Sequence, residues 1–176
     1  MADVVPEIET DRLLLRAHRL EDFPESAAIW ANPSVCRFIG GTPSTEQQSW
    51  ARMLGYRGHW SLMGFGYWAI EERSTRRFVG ELGFADFKRD IDPSFRGHPE
   101  AGWALAPGAQ GKGYAVEAIR AALQWGDARI DDERIVCLIH PSNRPSLHLA
   151  RKFGFSLLRQ ASYRGADVNL FARDHA

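Results

Sequence analysis

The stretch Pro107 to Ala115 reads PGAQGKGYA and sets glycines at 108, 111 and 113 just ahead of a segment with helical spacing. A glycine backbone lets a ligand approach closely because no Cβ intervenes. The first N–H groups of a helix have no intrahelical acceptor, so they can point at an anion such as a phosphate. Lys112 adds charge at the same place or extends into solvent. A ligand-free tight turn is the competing reading of these glycines. Two other phosphate loops do not fit: there is no GxxxxGK followed by Ser or Thr, and Val116 stands where the last glycine of GxGxxG would fall.

Proton-handling groups lie on either side of that stretch. Glu81 and Glu100 sit on expected strands beside glycines, an unusual place for a carboxylate without a partner or a task. Each is a candidate proton acceptor, or a salt-bridge partner or solvent-facing residue at a sheet end. His140 ends an expected strand, and its ordinary pKa suits proton transfer; a surface-loop histidine is the other reading. Asn143 offers an amide to an amide-rich ligand or caps the helix that follows. Ser146 brings a hydroxyl to that helix's first turn. His98, His140, His148 and His175 lack ligand spacing, and with neither CxxC nor HExxH in the chain no metal site is expected.

The elements that position these groups follow from spacing and punctuation. Arg12 to Arg16 reads as a strand, and Leu20 to Ala31 as a helix with Pro24 in its first turn and Asn32-Pro33 at its end. Thr45 to Met63 is a second helical region, its later part weakened by Gly55 and Gly58. Gly66 to Glu71 and Phe78 to Phe87 form an antiparallel hairpin, followed by a loop over Lys88 to Pro99. Glu100 to Ala106 is a strand, with a helix from Lys112 that buries Ala115, Ala118, Ile119, Ala122, Leu123 and Trp125. Ile135 to Ile139 is a strand and Pro145 to Phe153 a helix capped by Gly154. Phe155 to Arg159 and Val168 to Ala172 finish the chain as strands. No repeat or linker divides this order, so residues 1–176 are expected to form one domain with a single mixed sheet. The strands flanking the Lys112 helix should be parallel.

Gln110-Gly111-Lys112-Gly113-Tyr114-Ala115 resembles the acetyl-CoA pyrophosphate loop of the GCN5-related N-acetyltransferase (GNAT) superfamily. That pattern is Gln or Arg, two residues, Gly, one residue, then Gly or Ala, and Gln110, Gly113 and Ala115 match it. The preceding EAGWALAP resembles the cofactor-lining strand. Asn143-Arg144-Pro145-Ser146, followed by Leu149 to Phe155, resembles the late helix of the same superfamily. The opening ETDRLLLR and the hairpin FVGELGF are similar to the branch of ribosomal-protein N-terminal acetyltransferases.

The resemblance implies an α+β (mixed α/β) acyl-CoA N-acyltransferase fold, with a splayed parallel strand pair and about four flanking helices. It implies direct transfer of the acetyl group of acetyl-CoA, as cosubstrate, to a primary amine on a protein N-terminus or a small molecule. Trp103, Ala104, Leu105, Gln110, Gly111, Lys112, Gly113, Tyr114, Ala115, Asn143 and Ser146 would bind the cofactor. Glu100, Glu81, Ser146 and His140 are the catalytic candidates. Many relatives carry a Tyr acid seven residues after the motif Asn, where this chain has Ala150, and Ser146 is the nearest replacement. A different acyl-CoA, or a non-catalytic CoA-binding regulatory module, are the alternative readings.

Composition narrows the field further. Lys plus Arg and Asp plus Glu both number 22, giving a formal net charge of zero, so nothing suggests a general nucleic-acid binder. No apolar run is long enough to span a bilayer and the N-terminus lacks a secretory pattern. A cytoplasmic monomer or homodimer is expected, with Cys36 and Cys137 as buried thiols. Trp30, Trp50, Trp60, Trp68 and Phe65 read first as core, and second as the walls of an acceptor cleft.

Overall fold

The computed structural model describes residues 5–91, 94–95 and 97–174. His175 and part of the loop expected between Lys88 and Pro99 therefore lie outside the described residues. Eight strands form one sheet in the order β1-β2-β3-β4-β5-β6-β8-β7. They are β1 (Ile8–Glu9), β2 (Leu13–Arg16), β3 (Tyr67–Glu72), β4 (Arg77–Ala85), β5 (Glu100–Leu105), β6 (Arg134–Ile139), β7 (Ser156–Tyr163) and β8 (Ala166–Asp174). Every neighbouring pair is antiparallel except β5 and β6, which run parallel around the intervening helix. The result is the mixed sheet with flanking helices that the element order implies.

Each helix begins and ends on local chemistry. Helix α1 (Phe23–Ala31) carries Pro24 in its first turn and ends at Asn32, whose Oδ1 accepts the Ser34 N–H at 2.9 Å and opens the single turn α2 (Pro33–Cys36). Helix α3 (Glu46–Met63) starts on a capping box: Thr45 Oγ1 accepts the Gln48 N–H, and Gln48 Oε1 accepts the Thr45 N–H. It runs through Gly55 and Gly58 without a break, because its packing face outweighs the helix cost of two glycines. Helix α4 (Tyr114–Arg129) begins two residues later than expected, with Gly113 at its cap. Helix α5 (Arg144–Lys152) is capped by Asn143.

The helices divide between the two faces of the sheet. Ala118, Ile119, Ala122 and Leu123 of α4 pack with Leu13, Leu15, Trp68, Ile70, Leu82, Phe84 and Ile135 in the main core, which α5 joins through Ala150. Ile29 and Trp30 of α1, with Val35 and Cys36, pack on Ala69, Phe78 and Ala104 from the opposite face. Trp60, at the end of α3, reaches round to the main core and meets Trp68 and Trp125 edge to face. Cys36 and Cys137 are separate buried thiols.

Three further features differ from the sequence reading. Strand β1 and the turn α2 are too short to leave a periodic signal. The last hairpin is longer than expected: its strands continue to a two-residue turn in which Arg164 and Gly165 both have positive φ, 51° and 77°. At its end Tyr163 lies with its ring centre 5.1 Å from the Arg89 guanidinium carbon.

Candidate active site

Strands β5 and β6 pair at a single position, Glu100 with Val136, where the Val136 N–H donates to the Pro99 carbonyl at 3.0 Å. Beyond it they separate, and the gap opens into a cleft of about 520 Å³. Ala101, Gly102 and Trp103 form one edge of the gap, and Cys137, Leu138, Ile139 and His140 the other. The wall on the α1 face is a stripe of α3, Gln48, Arg52, Gly55, Tyr56 and His59, at helical spacing. Ala101, Gly102 and Trp103 also border a pocket of only about 10 Å³ beneath Ile119, Ala122 and Leu123 of α4.

The glycine-rich loop lies past the end of β5 and outside the cleft lining. Gly111 and Gly113 adopt φ of 74° and 81°, a left-handed conformation that glycine takes without strain. The first helical bond of α4 runs from the Glu117 N–H to the Gly113 carbonyl at 3.2 Å, leaving the Tyr114, Ala115 and Val116 N–H groups without helical acceptors. Nothing lies within 4 Å of a Cβ built on Gly111. Gln110 turns its amide inward to the Leu105 carbonyl, 3.2 Å away. Arg12 braces the loop from the turn before β2: Nη1 donates to the Lys112 carbonyl at 2.8 Å and Nε to Glu117 Oε2 at 2.8 Å. The Tyr114 hydroxyl donates to Glu72. Lys112 is exposed and lies 5.9 Å from the Tyr114 ring centre.

The two carboxylate candidates occupy different environments. Glu100 lines the cleft and is held in a fork by Arg89, whose Nε and Nη2 donate at 2.6 and 2.7 Å. Burial alone would lower the Arg89 pKa, but the Glu100 carboxylate outweighs it and the net shift is upward. Glu81 does not reach the cleft surface. It is fully buried and accepts from Trp30 Nε1 at 2.6 Å and Ser26 Oγ at 2.9 Å, with His18 Nε2 at 3.2 Å. Burial pushes its pKa up, but the bond and charge from His18, with bonds from Trp30 and Tyr56, hold it below the ordinary value. Glu81 thus anchors residues of α1 and α3 behind the cleft wall.

The late helix brings Asn143 and Ser146 into the cleft lining. Asn143 Oδ1 accepts the Ser146 N–H at 3.3 Å, so the cap is formed and the amide nitrogen remains available. Trp103 Nε1 donates to Ser146 Oγ at 3.2 Å, which leaves the hydroxyl hydrogen free to donate elsewhere. Ala150, where many relatives place a tyrosine, is wholly buried in the core. His140 lines the cleft, takes the Ser142 N–H on Nδ1 at 3.1 Å and packs 5.4 Å from Phe38. Ala104 and Leu105 are buried in the cores on opposite faces.

Sequence reasoning missed Arg52, Tyr56, Tyr67 and Arg89. Tyr56 and Tyr67 stack in parallel at 4.3 Å, and burial raises both hydroxyl pKa values, so both remain protonated donors. The Tyr67 hydroxyl lies directly over Gly102: a Cβ there would come within 2.0 Å of it. Among the tryptophans, Trp30 lines the cleft while Trp60 and Trp68 belong to the core. Among the described residues no group of three or more His, Cys, Asp or Glu is placed to hold a metal ion.

A sheet opened between two parallel strands, with an anion-ready helix start beside the gap, suits an elongated ligand that carries a phosphate. A family described as "Acetyltransferase (GNAT) domain" matches residues 12–156, and the chain belongs to it. It is a member of the acetyl-CoA-dependent acetyltransferases. The "Uncharacterized N-acetyltransferase p20" of Bacillus licheniformis is 29% identical over 170 residues, covering 93% of each chain. A putative GNAT-family acetyltransferase of Bordetella pertussis superposes with a TM-score of 0.83 at 33% identity, covering 96% of this chain and 99% of that one. An acetyltransferase of Agrobacterium tumefaciens gives 0.81 at 27%, covering 96% and 94%. The spermidine N-acetyltransferase of Vibrio cholerae, solved with CoA and spermine, shares the fold at 19% identity, with a TM-score of 0.72 and coverage of 94% and 97%. The acetyltransferase that modifies the N-terminal serine of ribosomal protein L7/L12 in Salmonella typhimurium does so at 18%, with 0.75 and coverage of 96% and 99%. The ribosomal-protein branch therefore does not stand out at high identity, and the resemblance holds at the level of the superfamily.

Proposed function

We propose that this chain transfers the acetyl group of acetyl-CoA directly to a primary amine, with the cofactor and the amine entering from opposite faces of the sheet. The observation that carries this reading is the β5/β6 gap, lined by Gly102 and Trp103, with the α3 wall on one face of the sheet and α4 packed on the other. Acetyl-CoA supplies an activated thioester. The N–H groups at the start of α4 and the Gly111 and Gly113 backbone are suited to its pyrophosphate. The free backbone edges of β5 and β6 are suited to its amide-rich arm.

In the reaction the amine nitrogen forms a C–N bond as the C–S bond breaks, and the proton lost by nitrogen balances the one the thiolate gains. Glu100 is the sole carboxylate lining the cleft among the described residues, and is the proton acceptor of this reading, directly or through water. Ser146, with its oxygen engaged by Trp103, donates its hydroxyl hydrogen toward the departing sulfur. Cys137 also lines the cleft, but burial, with the nearby Glu100 charge, raises its pKa and keeps the thiol protonated. This favours direct transfer over an acetyl-cysteine relay.

Calorimetric titration with acetyl-CoA, CoA and a nicotinamide dinucleotide tests the cofactor reading, and release of free CoA in the presence of amines tests turnover. Saturable binding of the two CoA species alone is expected. Gly113→Val should abolish most of that binding: the residue has φ of 81°, and a Cβ there stands 3.3 Å from Arg12 Nη2. Absence of CoA binding by folded wild-type protein, or full affinity in folded Gly113→Val, would reject the site. Binding without turnover over a broad amine panel would favour a CoA-responsive regulatory module.

A further inference from the structure

The charges around the acceptor side of the cleft are unevenly distributed. Arg52, Arg89 and Arg164 line it, with His59 and His140, against the single carboxylate of Glu100 among the described residues. Arg89 is consumed by Glu100. Among the described residues no acid pairs with Arg52. Its guanidinium carbon lies over the Trp30 ring, 4.0 Å from the ring centre, and Nη1 donates to the Ser44 hydroxyl at 3.2 Å. Those contacts fix the group without neutralising it, since an indole face and a hydroxyl oxygen carry no full negative charge. Arg164 is exposed at the tip of the last hairpin, 5.2 Å from the Tyr163 ring centre.

A guanidinium held in place, half-buried at the wall of a cleft and lacking an anionic partner, is an unfilled binding group. Its remaining N–H donors match the oxygens of a carboxylate or phosphate. The protonated hydroxyl of Tyr67 adds a donor to the same wall, while that of Tyr56 is taken by Glu81. We propose that the amine acetylated in this cleft carries an anionic group, carboxylate or phosphate, which binds Arg52, with Arg164 adding charge at the entrance. This rests on the acetyltransferase reading above and narrows its acceptor. A polyamine or other polycation would meet Arg52 and Arg164 as like charges, with Glu100 already paired, and is disfavoured.

The test uses the full chain saturated with CoA, which holds the cofactor side in place without turnover, and titrates amines by calorimetry. The probes are the common amino acids against their α-carboxamides, O-phosphoethanolamine against ethanolamine, and spermidine as the polycation. At least one anionic amine should bind about tenfold or more tightly than its neutral partner, as expected for a charge-assisted hydrogen bond. The carboxylate and phosphate arms identify which anion is preferred. Arg52→Gln should bring that ratio near one, Arg52→Lys should retain part of it, and added salt should reduce it in wild type. Circular dichroism shows whether each variant is folded, and the lysine variant keeps the comparison open should the glutamine variant not fold. Tighter or equal binding of the neutral or cationic members overturns the proposal. So does the absence of binding by every anionic member, or an unchanged ratio in folded Arg52→Gln. Failure of wild type to bind CoA would instead reject the transferase reading itself.

Discussion

Gly102 and Tyr67 occupy one another's space at the centre of the cleft. Gly102→Ala would drive a methyl into the Tyr67 hydroxyl, and Tyr67 cannot yield freely because it is stacked on Tyr56. We expect a loss of about 1–3 kcal/mol in denaturant unfolding, typical of overpacking, together with lower turnover. Tyr67→Phe in the same chain removes the 2.0 Å clash, leaving a ring atom at 3.2 Å, so the double variant should regain most of the stability. Glu100→Gln is expected to cut kcat while leaving acetyl-CoA affinity near wild type, read by steady-state kinetics beside calorimetry. An unchanged kcat would remove Glu100 from proton handling. Neither Tyr67 nor Arg52 was legible in the sequence. A tyrosine at the start of a strand and an arginine in a helix are ordinary there, and their significance arises only when the sheet register and the α3 stripe bring them together. The loop Gln110 to Ala115 was legible because its chemistry is written in consecutive residues.

Helix α3 separates packing from binding along its length. Gly55 lines the cleft, Gly58 does not, and a Cβ on either meets nothing within 4 Å. Replacing either by Ala should stabilise the helix by about 0.5–1 kcal/mol, measured as a raised unfolding midpoint. The variants should differ in function. Gly58→Ala leaves acceptor kinetics unchanged, whereas Gly55→Ala extends into the cleft and alters the acceptor KM without changing acetyl-CoA affinity. Sequence reasoning placed this helix correctly but treated both glycines as threats to it. The polar residues Gln48, Arg52 and His59 at helical spacing were the missed signal: a polar stripe turned inward marks a cavity wall rather than a core face. The final hairpin was under-read for another reason. Its strands alternate with many exposed residues, and their length depends on the Arg164-Gly165 turn geometry rather than on apolar pattern.

Across the whole molecule, buried ionic groups set the response to acid. Arg16 is buried and bonded to Asp22 at 2.7 and 2.8 Å and to Glu71 at 2.7 Å, while Glu81 lies in its own buried nest. For Asp22, burial alone would raise the carboxyl pKa, but bonds from Arg16 and the Arg19 backbone lower it; Glu81 is lowered as well. Groups with depressed folded values add stability that is complete above their unfolded values and is lost as pH falls through the folded ones. Thermal unfolding should therefore show a midpoint that drops once pH goes below about 4, the unfolded carboxylate range. Glu81→Gln should be less stable at neutral pH by about 3–5 kcal/mol, as when one partner of a buried ionic group is removed, and should show a shallower acid limb. A midpoint insensitive to acid would contradict the ionised state of both nests.

The brace from the β1–β2 turn to the glycine loop has a thermodynamic corollary. Arg12 and Thr10 reach across to Glu117 and the Lys112 carbonyl, so the edge of the sheet and the start of α4 are ordered together. Free energy of coupling is reciprocal. Whatever the N-terminal edge does for the loop's affinity, a ligand on the loop must do for the edge's resistance to opening. Saturating acetyl-CoA should accordingly slow amide hydrogen exchange at Leu13 to Arg16, far from the cleft, and Arg12→Ala should weaken both the binding and that protection by the same factor.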